Sequence, residues 1–395
     1  MKVYITGIGM DGEKTLTTEA LQKIKSSELL IGAERMTKPF LYLGKPVYNE
    51  YNPQKIAEYI KNTDFETIAV LMSGDCGFFS GAKGLSELLK DVETSIICGI
   101  STPVYLCSKL GMDWHNMKFL SLHGRSENIV RNVCTHEKTF FLLGGKITPA
   151  EVCKKLCEYG FDGLTVHIGE NLAYDDEKIF SGTARNFTDC NAPLSAMIVE
   201  NPDYEKYVLS GIPDCQFIRG KVPMTKSEIR NIAVSALKIC KKSTCWDIGS
   251  GTGSVAVEMA MKCTDGIVYA VEKKIEAVEL IKQNSLKFKC DNIKLIHSEA
   301  IDIIESLPPP NSVFIGGSGG HLEKILKTAV EKNPDVKIVT TAVSIETLTE
   351  SMRISKLLGL KFEISQVAIT RTVKIGSHTM FSAENPIFII RRTFD

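Results

Sequence analysis

The sequence predicts an α/β protein made of two successive modules. Short β-branched runs that end in Gly recur along the chain, each followed by a helical pattern. That alternation pauses once, over residues 201–223, and then restarts. The 395-residue length also exceeds an average single domain.

In the first half the strand candidates are VYITG, LLI at residues 29–31, TIAVLMSG, SIICGI, TFFLLGG, LTVHIGE and LSAMIVE. The pause, NPDYEKYVLSGIPDCQFIRGKVP, gathers Pro, Gly and charge around Gly211-Ile212-Pro213 and reads as a linker. The second half supplies CWDIG, IVYAVE, IKLIHSE, SVFIGG and KIVTTAV, spaced by helical stretches such as 254–261 and 274–288. In the tail, KFEISQVAITRTVKIG and NPIFIIRR read as two strands with no room for a crossover helix, which implies an antiparallel hairpin at the end of the sheet.

Composition narrows the function classes. Hydrophobic residues make up 44% and charged residues 24%, with 47 basic and 47 acidic side chains giving a formal net charge of zero. A protein that binds mainly by neutralising phosphates needs a basic excess, so a nucleic-acid partner is not expected. No apolar run approaches the roughly 20 residues that span a bilayer. The N-terminus MKVYITGIGM lacks the signal-peptide pattern, because Gly7 and Gly9 interrupt its apolar stretch. Twelve cysteines without a CxxC pair suit buried thiols in a reducing compartment. A cytoplasmic protein without a protein-held metal is expected.

Chemistry concentrates in the second half. Cys245-Trp246-Asp247-Ile248-Gly249-Ser250-Gly251-Thr252-Gly253-Ser254 reads as strand, Gly-rich turn and helix start. Its third Gly comes two residues after the second, not three, so the loop departs from the dinucleotide pattern and suits a compact amino-acid and ribose moiety. Nineteen residues after Gly253, Glu272 closes the next strand, where a carboxylate can accept both hydroxyls of a ribose. Ser298-Glu299-Ala300 and Gly316-Gly317 end the following two strands on the same sheet edge. This half resembles the class I methyltransferases, a Rossmann-like fold with a seven-stranded sheet and an antiparallel terminal hairpin. The Asn/Asp-Pro-Pro-aromatic tetrad of nucleic-acid amino methyltransferases is absent, and Gly316-Gly317-Ser318-Gly319-Gly320-His321 stands there instead. Asn385-Pro386 reads as a turn. With Val222-Pro223-Met224-Thr225-Lys226, that loop resembles the decarboxylating precorrin C-15 methyltransferases over residues 211–395. By this resemblance Thr225, residues 249–253 (Gly249, Ser250, Gly251, Thr252, Gly253), Glu272 and Ala300 contact S-adenosylmethionine.

The first half carries a lone Gly7-x-Gly9-x-x-Gly12, a weak dinucleotide signal because no acidic residue closes the next strand. A wider set includes Asp11 through Leu16-Thr17, residues 73–80 beginning Ser73-Gly74-Asp75-Cys76, and Gly99-Ile100-Ser101-Thr102-Pro103. It continues with His123-Gly124-Arg125 and Gly169-Glu170-Asn171-Leu172. Together these resemble the two-lobed tetrapyrrole methylases, and among them the precorrin C-5 methyltransferases, over residues 1–205. The resemblance implies that Gly9, Ser73, Gly74, Asp75, Ser101 and Thr102 line a second cofactor pocket, with Met197 beside them. Cys76 replaces the family's Pro and Met10 another, both at positions compatible with a tight turn. Cys76 reads as a structural thiol.

The two halves together resemble fused C-5,15 precorrin methyltransferases. The resemblance implies two S-adenosylmethionine sites per chain, a corrinoid small-molecule substrate, loss of carbon dioxide from the C-12 acetate, and self-association through the C-terminal module. A reduced macrocycle activates its own meso carbons, so no strong general base is expected and alignment carries the rate. Arg125, Arg230, Arg371 and Lys374 are candidates for pairing substrate carboxylates, each against the alternative of a solvated surface charge. His123 and His321, with Gly317 and Ser318, are further substrate-side candidates, and either His equally reads as structural. Two rival readings are an RNA methyltransferase with an accessory domain, and a nicotinamide-dependent domain fused to a methyltransferase.

Overall fold

A computed structural model describes residues 1–122, 127–145 and 147–394. The chain forms two compact units. Unit 1 comprises residues 1–127 and 136–202, and unit 2 residues 128–135 and 203–395.

Unit 1 holds two five-stranded sheets. The first contains β1 (Lys2–Gly7), β2 (Leu29–Gly32), β3 (Val47–Asn49), β4 (Thr67–Met72) and β5 (Glu93–Ile97) in the order β3-β2-β4-β1-β5. Every pairing in it is parallel. Central strands of a parallel sheet are covered on both faces, which is why β1, β2 and β4 are near-continuous apolar runs. Val3, Ile5, Ile31 and Val70 pack against Ile56, Ile60 and Leu85 of flanking helices. The second sheet contains β6 (Met117–Ser121), β7 (Lys138–Leu142), β8 (Thr165–Glu170), β9 (Lys178–Thr183) and β10 (Ser195–Glu200) in the order β6-β7-β10-β8-β9. Only β6 and β7 pair in parallel.

Strands β3, β6 and β9 escape the hydrophobic pattern. All three are sheet edges, and an edge strand buries less and carries a shorter or more polar run. KIFSGT of β9, for example, has no fully buried residue.

Unit 2 is built on β11 (Thr244–Ile248), β12 (Ile267–Glu272), β13 (Ile293–His297), β14 (Ser312–Ile315) and β15 (Lys337–Ala342), joined by β16 (Lys361–Val367) and, after an intervening ribbon, β19 (Ile387–Thr393). The order is β13-β12-β11-β14-β15-β19-β16, with β19 antiparallel to both neighbours. The seven-stranded sheet and its terminal hairpin are therefore present. The tail differs in one respect from two simple strands. KFEISQVAITRTVKIG breaks after Val367, and β17 (Thr370–Ile375) pairs with β18 (His378–Ala383) as a separate two-stranded ribbon. Its two-residue turn is Gly376-Ser377, with Gly376 at φ +61°, a hairpin signal that the β-rich run obscured.

Unit 2 also takes in a helix from within the first half of the sequence, Ile129–Thr135. Asn128 donates to the carbonyls of Thr264 and Gly266 at 2.9 and 2.7 Å, and Asp291 accepts from the Val130 and Arg131 N–H groups. The fully buried Arg131 pairs with Glu205. No helix among the described residues is long and apolar enough to cross a membrane.

Candidate active sites

In unit 2 the loop after β11 alternates left-handed glycines, with φ +71° at Gly249, +57° at Gly251 and +77° at Gly253. A Cβ at Gly249 would lie 2.6 Å from the Gly317 carbonyl oxygen, and one at Gly251 3.0 Å from that of Pro223. These two glycines let the loop pass close to its neighbours where no side chain fits. Gly253 serves the scaffold, since its Cβ would press on Ile281 at 3.1 Å. Glu272, at the end of β12, accepts from Gly251 N at 2.9 Å, Lys273 N at 2.9 Å and Lys274 N at 3.0 Å. A carboxylate has about four acceptor positions, so one remains after these three bonds and the shared oxygens can also take bifurcated donors.

Beneath the loop Asp247 is fully buried, and neither carboxyl oxygen has a well-formed hydrogen bond. Burial above all pushes its pKa up to about 7, with the nearby Glu272 charge adding, while Ser250 and the Ala256 N–H offset this in part.

A cavity of about 740 Å³ opens along this edge of the sheet. Thr225, Gly249, Ser250, Gly251, Glu272 and Ala300 all line it. Gly317, Ser318 and His321 line it too, so nine residues from five sequence segments converge. Thr252 is buried, with its hydroxyl unpartnered, and neither Thr252 nor Gly253 lines the cavity.

The expected cations are placed differently. Arg230 is completely buried and does not line the cavity. It bonds Glu258 at 2.6 Å, Asp214 at 3.3 Å, the Thr225 carbonyl at 2.6 Å and the Ile212 carbonyl, and thereby ties the incoming segment and Thr225 to the sheet. Arg371 is committed to Glu228 at 2.6 Å and Glu384 at 2.9 Å and does not line the cavity, although Glu384 does. Lys374 is exposed on the ribbon. His123 and Arg125 lie outside the described residues. Instead Lys226, Lys273 and Lys274 line the cavity. Lys226 and Lys273 sit 3.8 and 3.5 Å from Asp214 and Glu299, and Lys274 has no ion-pair partner among the described residues. Their positions beside Thr225 and Glu272 were the available signal. Asn385 and Pro386 also reach this rim.

In unit 1 a cavity of about 370 Å³ lies over the C-terminal ends of the parallel strands. Ser73, Gly74 and Thr102 line it. Gly9 and Gly74 exchange backbone hydrogen bonds at 3.1 and 2.6 Å, joining the loops after β1 and β4. Gly9 has φ +70°, and a Cβ there would lie 2.1 Å from the Thr15 hydroxyl. Asp75 braces the cradle and does not line it. Its carboxylate accepts from Gly99 N at 2.9 Å and Gly77 N at 2.7 Å, tying the loop after β4 to that after β5. Ser101 holds the N-cap position of the helix Thr102–Leu110 without a side-chain capping bond, and neither Ser101 nor Gly9 lines the cavity. Met197 is fully buried and does not line the cavity, whereas Ser195 and Ala196 at the start of β10 do. Cys76 faces the Ile5 and Ile97 carbonyls, and burial pushes its thiol up to about 12, as a structural cysteine requires. Arg35, Tyr51, Phe79 and Tyr174 also line this cavity, although sequence reasoning did not single them out. Arg35 and Tyr51 follow β2 and β3 on the same sheet edge, which was the usable signal.

Two family models match the chain. One, described as a precorrin methyltransferase domain, covers residues 217–393, and the other, described as tetrapyrrole (corrin/porphyrin) methylases, covers residues 2–188. A Pyrobaculum aerophilum protein named a probable cobalt-precorrin-6B C(15)-methyltransferase (decarboxylating) is 39% identical over 47% of this chain and 96% of its own length. The Salmonella typhimurium protein named cobalt-precorrin-6B C(15)-methyltransferase (decarboxylating) is 32% identical over 44% of this chain and 91% of its own. A solved structure described as precorrin-6y C5,15-methyltransferase from Geobacter metallireducens is 32% identical, covers 47% of this chain and 98% of its own, and has a TM-score of 0.45. The chain belongs to the precorrin methyltransferase family.

Proposed function

We propose that this chain is an S-adenosylmethionine-dependent methyltransferase of corrin-ring biosynthesis with two cofactor sites. In this reading residues 1–205 methylate C-5 of a precorrin-6B- or precorrin-7-type intermediate. Residues 211–395 methylate C-15 and decarboxylate the C-12 acetate, which loses its carboxylate as carbon dioxide, takes up a proton and remains as a methyl group. The observation that carries it is that each unit has a cavity at the C-terminal edge of a parallel sheet, where α/β folds bind ligands.

The bound cofactor supplies an electrophilic methyl group on a sulfonium. The chain supplies position. In unit 2, Gly249 and Gly251 leave room for close approach, and Glu272 accepts from the ribose hydroxyls while its backbone bonds hold it still. Val271 and Ile387 give the cavity an apolar wall. Lys226, Lys274 and His321, with Gly317 and Ser318 beside them, face the polycarboxylate substrate and hold its arms, so that the acetate to be lost meets the least solvated part of the pocket. In unit 1, Gly9, Ser73, Gly74, Ser101 and Thr102 form or brace the polar side of the cradle, against an apolar wall of Leu71, Leu142 and Leu143. At each carbon a C–H is replaced by a C–CH₃ and one proton leaves. Alignment of this kind accounts for roughly 7–11 kcal/mol of barrier.

A corrinoid small molecule is the partner in this reading, in the cytoplasm. Self-association through unit 2 belongs to it as well, supported by the exposed Ile375, Met380 and Phe381 on the ribbon. Mass spectrometry of cobalt-precorrin-6B after incubation with the chain and S-adenosylmethionine tests the function. Two methyl gains and one carbon dioxide loss are expected. No mass change despite cofactor binding would overturn it.

A further inference from the structure

Arg35 stands apart from most arginines of this chain. Arg131, Arg185, Arg230, Arg353, Arg371 and Arg391 each pair with at least one carboxylate. Arg35 lines the unit 1 cavity and is held by neutral oxygens, with Nη1 donating to the Tyr174 hydroxyl at 2.9 Å and Nη2 to the Ser73 hydroxyl at 3.3 Å. Tyr174 in turn donates to the Met10 carbonyl at 2.9 Å, so the support is itself anchored. Arg35 has no ion-pair partner among the described residues.

Acidic groups around the cavity are already engaged. Glu50, which lines it, accepts from the Tyr51 and Asn52 N–H groups and lies 3.7 Å from Lys55. Asp175 and Glu177, on the segment that carries Tyr174, pair with Lys14 and Lys109. A guanidinium has five N–H donors, so two bonds to hydroxyls leave three, along with an uncompensated positive charge. Its planar fork matches a carboxylate.

Aromatic residues line the same cavity. Tyr51 is 81% exposed and Phe79 44% exposed, yet both line the cavity. Phe79 adopts φ +47°, a left-handed conformation that is costly for a bulky side chain. Its ring packs edge-on against Phe78 at 4.7 Å, and Phe78 is fastened to Phe119 and Phe140. The sheet order β3-β2-β4-β1-β5 places the loops after β4, β1 and β5 on one side of the edge and those bearing Arg35 and Tyr51 on the other. The cavity thus takes Arg35 and Tyr51 from the loops after β2 and β3, and Ser73, Gly74 and Phe79 from the loop after β4.

We propose that Arg35, with Tyr51 and Phe79 in the same lining, recognises the substrate in the unit 1 cavity. Its guanidinium receives a carboxylate arm of the substrate, and the aromatic rings cover part of the flat conjugated macrocycle. The proposal rests on the reading of unit 1 as the C-5 methylase.

The test uses the full chain as wild type, Arg35→Gln and Arg35→Lys, with cobalt-precorrin-6B and its carboxylate-esterified form as probes. C-5 and C-15 methylation are followed separately by mass spectrometry, and S-adenosylhomocysteine binding by calorimetry. Arg35→Gln should raise KM for C-5 methylation about 10- to 100-fold, the effect of one lost charge-assisted contact, with kcat and S-adenosylhomocysteine binding retained. Arg35→Lys should recover part of that loss. Esterification should weaken the wild type and have much less effect on Arg35→Gln, while C-15 methylation should not respond to either substitution. An unchanged KM in Arg35→Gln overturns the proposal, as does a KM loss matched by lost S-adenosylhomocysteine binding, which would place Arg35 at the cofactor. A wild-type chain that methylates C-15 and never C-5 overturns the underlying reading instead, and the proposal with it.

Discussion

The two cavities build their cradles in different ways. Unit 2 uses one contiguous loop, residues 249–253, with alternating left-handed glycines and a single carboxylate, Glu272, holding the Gly251 N–H. Unit 1 assembles its cradle from three loops far apart in sequence, joined by the Gly9–Gly74 backbone pair and by Asp75 reaching to Gly99. Where one loop does everything, the geometry resides in glycine dihedrals. Where three loops meet, it resides in the bonds between them, and the residues that brace the site need not touch a ligand.

The sharpest way to break this comparison is to fill one cradle at a time. Gly251→Arg should abolish C-15 methylation and decarboxylation, because φ +57° and the Pro223 carbonyl leave no place for a side chain. Gly9→Val should abolish C-5 methylation by collision with Thr15. Each variant should keep the other reaction, and its calorimetric S-adenosylhomocysteine stoichiometry should fall from two to one. Loss of both reactions in either variant would argue for a single shared site.

Next in size is Glu272→Gln, which removes a ribose acceptor and should raise KM for S-adenosylmethionine about 10- to 100-fold in C-15 methylation alone. Equal KM values for variant and wild type would remove Glu272 from the cofactor site.

The buried Asp247 makes a pH prediction that unit 1 does not share. Its folded pKa of about 7 stands above the unfolded value, which is about 3.9. The folded state therefore binds the extra proton between those values, and this group's contribution to stability falls as pH rises from about 4 to about 7. Asp247→Asn should flatten that slope and stabilise unit 2 near pH 8, by an amount on the order of a few kcal/mol. Urea denaturation followed by fluorescence of the adjacent buried Trp246 reads it. Parallel pH profiles for variant and wild type would refute the assignment.

The smallest effect is expected at Cys76. Its thiol titrates at about 12, so iodoacetamide at neutral pH should label Cys98, Cys215 and Cys240 and spare Cys76. Cys76→Ala should leave C-5 methylation within about threefold, in keeping with a small buried-site substitution. A larger loss would give the thiol a chemical role.

Legibility differed between the cavities for the same reason. Most of the unit 2 site could be read directly because its residues sit in short loops at strand ends, where local dihedral demands select Gly and the sheet edge selects Glu272. The lysines at 226, 273 and 274 were passed over in favour of arginines. Arg230 and Arg371 prove to be spent on internal carboxylates, and nothing in a linear sequence tells which cations are already paired. In unit 1, Gly9, Ser73 and Gly74 came from the resemblance to tetrapyrrole methylases, whereas Arg35, Tyr51 and Tyr174 come from separate loops that only the tertiary fold brings together. Met197 shows the limit at single-residue scale, since the cavity takes its neighbours Ser195 and Ala196 and leaves Met197 in the core.

By itself, then, the sequence determined what is local: the α/β alternation, the glycine loop, the acidic strand end and the hairpin-closed sheet. Each follows from side-chain periodicity or from a backbone angle that few residues tolerate. Tertiary structure alone decided which charges are neutralised, which edge strands complete the sheets, and which loops share a cavity. Those outcomes depend on distances between residues far apart in the chain, and a one-dimensional pattern carries no information about such distances.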